Sequence, residues 1–503
     1  MRMVRTHIRT RGRKPAGWAD RYALLAGVVV AALVLGRSAV AALSSIAGEV
    51  EPVRASAGLT LVTLTYTGFL ALARIFGPVA LPAADAAWLV LSPLPRRGVL
   101  GRTSLILLVL SLVGGAALGV ALLTAIGMPD HTTARLITAM VLGTAATAGA
   151  MAIAVLAQSS PPWDTWLQAL IVSLVCTAVI AVVLGNGPWR HLLAAVAAAP
   201  VSLGAALATS CAATTALLLR LAWGALNRFP ARALLDASTR TSIVVAASVV
   251  LEPGALTWIA EDAYWRGRIV RSRPWPAALT GRAAALAWID WRRLARRPRR
   301  LCALFALAAL PALAAAAGAG PGVATVVGGG ALAAAAAGTT GARRDGEDAG
   351  LTRLFGVAPH ALLAARTVLP ALLGGTWLVL ALAGLALVDA LPGPLGWAFG
   401  PAAAPALAAG ALRMARRPAV DHSMPVVNTP VGSLPTGPFL WAVTGIDIAA
   451  LGCAPLLLVV SAPPSATGVY LAAQAFAGPA VLGAFLATAS KAQTRSVVTS
   501  HPA

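Results

Sequence analysis

Residues 103–127 read TSLILLVLSLVGGAALGVALLTAIG, 25 positions without a charge. At about 1.5 Å per residue, a helix of this length exceeds the roughly 30 Å hydrocarbon core of a bilayer. The run has none of the period-two alternation of a membrane barrel strand. Lipid offers open backbone groups no partner, so a spanning helix is the form it must take. Comparable runs recur on both sides of it. Membrane helices are expected at about 22–47, 58–80, 103–127, 134–157, 166–186 and 191–226, and again at about 301–318, 320–337, 362–388, 395–413, 437–461 and 468–489. The expected fold class is therefore all-α, a polytopic membrane protein of about twelve transmembrane helices. The run 191–226 is long for one crossing and contains Pro200, a candidate kink.

Composition agrees with this reading. The chain is 58% hydrophobic and 11% charged, against roughly 25% charged in soluble domains. The net charge of +22 invites a nucleic-acid partner, but none is expected, because basic loops are how a membrane protein fixes its orientation. With the N-terminus in the cytoplasm, the outer loops 48–57, 128–133, 187–190, 319, 389–394 and 462–467 hold only Arg54 and Arg190 of the lysines and arginines. The N-terminal tail, the segments 82–102, 227–300, 338–361 and 414–436, and the C-terminal tail carry positive charge. Both ends are thus expected in the cytoplasm, with the chain in the inner (cell) membrane. The first run, Tyr22–Ala47, is longer than a signal h-region of roughly 7–15 residues and is expected to be retained. Thr241–Ala260 is moderately apolar, but Glu252-Pro253 sits at its centre, which places it outside the membrane. Only Lys14 and Lys491 are lysines among the 39 basic residues, an Arg bias that points, with the abundant Ala, to a GC-rich genome.

These runs divide the chain into a first membrane half (1–226), a basic cytoplasmic linker (227–300) and a second membrane half (301–503). The linker ends in DWRRLARRPRR, residues 290–300, for which anionic lipid is the expected partner. The halves look related. Residues 85–103 read DAAWLVLSPLPRRGVLGRT, and residues 348–367 read DAGLTRLFGVAPHALLAART. Each stretch follows the second helix of its half and runs from an acid through an apolar stretch and a proline to Arg-Thr at the next membrane helix. Such a repeat implies two six-helix halves about an axis along the membrane normal.

The segment Trp88–Leu100 resembles the "leucine–leucine–small–leucine–proline–valine–small–arginine" coupling segment of type-2 ABC exporter permeases, and the whole chain is similar to a fused pair of such actinobacterial permeases. The resemblance implies that Asp85, Leu91, Pro93, Pro95, Arg96 and Arg97, with Asp348 and Pro359 in the second copy, couple the chain to a cytoplasmic ATP-binding subunit acting as a dimer. The second copy replaces the twin arginine with His360-Ala361. The resemblance also implies export of a substrate between the halves, with ATP on the partner and no cofactor in this chain. A phosphate-cradling loop needs G-x-x-x-x-G-K-[ST]. Lys14 is followed by Pro15 and Lys491 by Ala492, so neither lysine supplies it. No enzymatic activity is expected.

Two other readings compete. A proton-coupled carrier of major-facilitator type also repeats a basic motif after helices two and eight, but as a tight turn with adjacent Asp and Arg, which this chain lacks. A membrane glycosyltransferase would use outer-loop acids such as Glu49 and Glu51, yet every outer loop here is short. Asp447, expected inside the eleventh helix, is an intramembrane acid and so a functional candidate; Arg37 in the first helix is its candidate partner. Gly115 and Gly119, four apart, suit close helix packing. Cys176, Cys211, Cys302 and Cys453 are expected as small buried hydrophobes. The six histidines form no ligand pattern, so no metal is expected.

Overall fold

The computed structural model describes residues 52–81, 95–127, 131–186, 199–239, 281–347, 356–391, 395–461 and 467–499, save a few positions within them, together with Ala86 and Trp88. The expected first helix, Arg37, Glu49, Glu51 and Thr241–Ala260 lie outside the described residues.

The protein is an all-α polytopic membrane protein. Its first half contains α1 (Pro52–Phe76), α2 (Arg96–Ile126), α3 (Thr132–Ser159), α4 (Pro161–Asn186) and α5 (Val201–Ala225, extended by a 3-10 turn to Arg228). The amphipathic α6 (Arg282–Ala295) leads into α7 (Pro298–Ala306) and α8 (Leu310–Ala316). The second half continues with α9 (Gly322–Ala336), the short polar α10 (Thr340–Glu347), α11 (Pro359–Leu387) and α12 (Phe399–Ala415). It ends with α13 (Thr436–Val443), α14 (Ile446–Gly452), α15 (Ala454–Ser461) and α16 (Thr467–Thr499). Seven of these elements, α1 to α5, α11 and α16, are long and apolar enough to cross a membrane unbroken, and two bent pairs raise the number to nine among the described residues. Each expected membrane segment from 58–80 onward carries helix. Pro200 ends as the residue before α5 rather than as a kink within it.

The two halves repeat one packing plan. In the first, α3 lies centrally against α2, α5 and α4, while α1 packs on α4, α2 and α3. In the second, α12 lies against α11, α16 and α14, while α9 packs on α11, α12 and α15. The central helices α3 and α11–α12 are the buried ones; α2, α5 and α16 turn most of their surface outward, as lipid-facing helices do. Between the halves, α1 packs on α8.

Small residues set the central crossings. A Cβ on Gly115 of α2 would collide with the backbone of Gly143 in α3, and one on Gly119 with the Ala139 carbonyl. The equivalent crossing of α11 and α12 brings Gly375 against Gly400 in the same way. With apolar lipid as solvent, helix association rests on such close van der Waals packing. Around the second crossing the core is larger: Trp377, Phe399, Leu378 and Leu382 are fully buried, and the Trp377 indole N–H donates to the Leu304 carbonyl at 3.0 Å.

The segment 437–461, expected as one helix, is broken twice. Gly445, at φ +96, separates α13 from α14. At the second break the side chain of Gln474, from α16, enters the backbone ladder. Its Nε2 donates to the Gly452 carbonyl at 2.7 Å, and its Oε1 accepts from the Leu456 amide at 3.3 Å. Gly452 and Leu456 would be the i and i+4 partners of a continuous helix. The amide therefore satisfies both groups where lipid supplies nothing.

Two further findings depart from expectation. Val426–Thr429 and Gly432–Pro435 form an antiparallel hairpin in register Val426↔Pro435 to Thr429↔Gly432, within a stretch of Val, Thr, Gly and Pro that favours strand and turn over helix. Of the cysteines, only Cys453 is buried; Cys176 and Cys302 are exposed and Cys211 is intermediate, because apolar residues on outer helices face lipid rather than a core.

Candidate functional site

The repeated segments meet the bundle at one end of each half, where α1 and α9 finish and α2 and α11 begin. In the first half, Gly77 at φ +79 ends α1. The chain then runs under Gln158 of α3, which accepts from the Val79 amide at 3.0 Å and donates to the Val79 carbonyl at 2.8 Å. Leu81 donates to the Ser238 hydroxyl at 3.3 Å. Val79, Ala86, Phe229 and Leu234 are buried together beneath this loop, while Trp88 stands 82% exposed. Pro95 precedes α2, and Arg96 and Arg97 are its first residues. Arg97 is a tie within the protein. Its guanidinium donates to the Gly224 carbonyl and its amide to Asn227 Oδ1, each at 3.2 Å, closing the end of α5. Arg96 is partly exposed. Asp85, Leu91, Pro93 and Asp348 lie outside the described residues.

The second half treats its repeat differently. Pro359 is the first residue of α11 and follows Gly356 at φ +57, whose carbonyl accepts from Arg282 of α6 at 3.0 Å. The two Arg-Thr pairs have opposite fates. Arg102 is exposed. Arg366 is 4% exposed and holds two acids from separate elements. Its Nε and Nη2 reach both Asp345 oxygens, at 2.7 and 3.0 Å, and its Nη1 reaches Asp290 Oδ2 at 2.7 Å. Asp290 belongs to α6 and Asp345 to α10, so one buried guanidinium fastens both surface helices to α11. Gly341 leaves no room for a side chain over this cluster. Asp290 is fully enclosed, and its Oδ1 makes no hydrogen bond among the described residues. Burial raises its carboxyl above the ordinary range, outweighing the pull of Arg366.

Arg293 stands beside this cluster and near Arg344, while Arg297 stands near Arg344 and Arg300. Burial and their mutual repulsion lower the pKa of Arg293 and Arg297. The basic run 290–300 thus forms the end of α6 and the start of α7, with Asp290 buried, Arg293 and Arg296 exposed, and Arg292, Arg297 and Arg300 half-buried.

Asp447 does not sit in an unbroken helix. It is the second residue of α14, just after the Gly445 break, and its Oδ1 accepts from the Gly445 and Ile448 amides, each at 2.8 Å. Among the described residues its ionic partner is Arg413 in the last turn of α12, at 3.2 Å; the expected partner, Arg37, lies outside them. Nearby, the Arg417 guanidinium lies 3.0 Å from the Trp441 ring centroid, and the Trp441 indole donates to the Pro418 carbonyl at 2.9 Å. The Asp447–Arg413 pair is partly exposed, a setting worth roughly 0–1 kcal/mol. Asp447→Asn keeps the amide acceptor and is expected to cost under about 1 kcal/mol, whereas Asp447→Ala loses the cap and is expected to cost about 1–2 kcal/mol. Melting of the purified variants in detergent checks the order; an Asn variant as damaged as the Ala variant would show that the charge itself matters.

Sequence reasoning found the Arg-Thr repeat but not the cluster that one copy builds. Asp290 and Asp345 are 76 and 21 residues from Arg366, without a local spacing to announce them. Gln474 and Gln158 were likewise missed, though each is a long polar side chain inside an apolar run. Among the described residues no three metal-ligating side chains gather.

A family model described as a family of unknown function (DUF6297) matches residues 50–425, and the chain belongs to that family. No curated protein and no solved structure matches it.

Proposed function

We propose that this family member is the membrane-spanning subunit of an ATP-driven ABC exporter, with two six-helix halves in one chain and ATP hydrolysed by a separate cytoplasmic subunit. The carrying observation is positional. The segments before α2 and α11 enter equivalent helices of a repeated packing plan, so a symmetric motor has two equivalent places to push. The density of arginine at the same ends supports a cytoplasmic orientation for them in this reading, with both termini on the cytoplasmic side of the inner membrane. In this reading the chain has no catalytic residue, and Trp88, Pro95 and Arg96 form the contact with the motor, while Arg97 passes the push on to α5 through Gly224 and Asn227.

The test is co-purification of the tagged chain from native membranes with an ATP-binding protein encoded beside it, followed by ATPase assays. Arg96→Glu is expected to cut coupled ATPase activity at least about tenfold, as loss of a central contact worth about 1.4 kcal/mol or more would. The same variant should leave the melting temperature unchanged, because Arg96 is partly exposed. Unaltered assembly and coupling would sink the proposal. The buried acids on Arg366 favour a second reading, a proton-coupled secondary transporter. Solute movement driven by a pH gradient in vesicles without ATP would select it.

A further inference from the structure

The packing plan differs between its halves at the pair α2 and α5 and its counterpart, α11 and α16. In the second half α11 and α16 pack against each other. In the first half their counterparts, α2 and α5, are tied at one end by Arg97 and then diverge over α3, leaving a cleft of about 340 Å³. That volume lies in the usual range of ligand pockets, roughly 300–1,000 Å³. Leu105 and Leu108 of α2, Met151 and Val155 of α3, and Leu219 and Trp223 of α5 line it. Ser104 and Ser111 line it too, and each hydroxyl donates to a carbonyl of its own helix, at 3.1 and 2.8 Å.

One charge breaks this apolar lining. Arg220 stands in the wall of the cleft, is exposed, and has no hydrogen-bond or ion-pair partner among the described residues. It lies two turns inside Arg228, about 12 Å along the helix. A cation at that depth is costly without an anion or water beside it. The walls therefore ask for hydrocarbon, and the single guanidinium asks for an acid.

We propose that this cleft, inside the first half rather than between the halves, binds an amphiphile with one acidic headgroup, its chain along α3 and its anion on Arg220. An anionic bilayer lipid and a free single-chain acid share that chemistry. The site does not depend on how transport is powered, and its test needs neither ATP nor a partner.

The test uses the full-length chain in nanodiscs of neutral phosphatidylcholine. Photo-crosslinkable phosphatidic acid is incorporated in one arm, photo-crosslinkable palmitic acid is added from solution in a second, and crosslinkable phosphatidylcholine serves as the neutral reference. Crosslinked peptides are mapped by mass spectrometry. At least one acidic probe is expected to label peptides of α2, α3 and α5 about fivefold over the neutral probe, the ratio one charge contact supplies. Which acidic probe does so identifies the source. Arg220→Gln is expected to erase the preference and Arg220→Lys to keep it. Labelling spread evenly over the lipid-facing helices, α16 included, would overturn the site even if no variant folds. So would equal labelling by acidic and neutral probes, or a preference that survives in Arg220→Gln.

Discussion

Arg366→Leu is expected to cost about 3–5 kcal/mol, the penalty for breaking a buried ion pair from one side. The substitution leaves Asp290 and Asp345 facing each other, with Asp290 enclosed, its hydrogen-bonded partner gone and only the longer 3.8 Å pair with Arg293 left among the described residues. It also frees α6 and α10 from α11, so the loss is expected as early melting together with protease cleavage between residues 282 and 347. Changing the partners is milder. Asp290→Asn leaves Arg366 on both oxygens of Asp345 and removes the acid whose ionisation burial opposes. Because the folded pKa of Asp290 is raised, its contribution to stability is complete below the ordinary carboxylate range near about pH 4. That contribution is lost as pH rises through the folded value. The Asn variant should therefore lose that slope, which melting across a pH series measures. An Arg366→Leu protein that melts like the parent would mean that α6 and α10 are held by other contacts.

The second large effect belongs to Gln474. Gln474→Met keeps the length of the side chain and removes the amide, leaving the Gly452 carbonyl and the Leu456 amide without partners. Each unsatisfied buried group costs about 1–3 kcal/mol, so a loss of a few kcal/mol is expected in detergent melting. The alternative outcome is specific: α14 and α15 close into one helix through a direct Leu456–Gly452 bond. A Met variant as stable as the parent would show that closure and would make the break a device held open by Gln474 rather than a cost that Gln474 relieves.

The helices were legible in the sequence because lipid demands a long apolar run and nothing more. What could not be read is how helices meet. Asp447 was visible as an intramembrane acid, but its partner Arg413 lies 34 positions back on another helix and follows no helical spacing. The equivalence of Arg102 and Arg366 was visible as a repeated Arg-Thr, yet one is exposed and the other buried between two acids. That difference is made by α6 and α10, which pack over α11 and whose docking no local pattern encodes. The second break in 437–461 was hidden because its cause sits in α16. Gly445, by contrast, was a signal within the segment itself.

The glycine and alanine crossings of α2 with α3 and of α11 with α12 constrain how this protein tolerates change. An interior of Leu and Phe fails mostly by losing atoms, since truncation opens cavities. Here the central helices meet through residues that have almost nothing to lose. Harm at these sites must come from added atoms, and overpacking costs about 1–3 kcal/mol or more where backbones must part. A saturation scan across Gly143 and Gly400 should thus show tolerance falling steeply with side-chain volume and hardly at all with polarity. The protein would drift freely along its lipid-facing surface while its two axles stayed fixed by size alone.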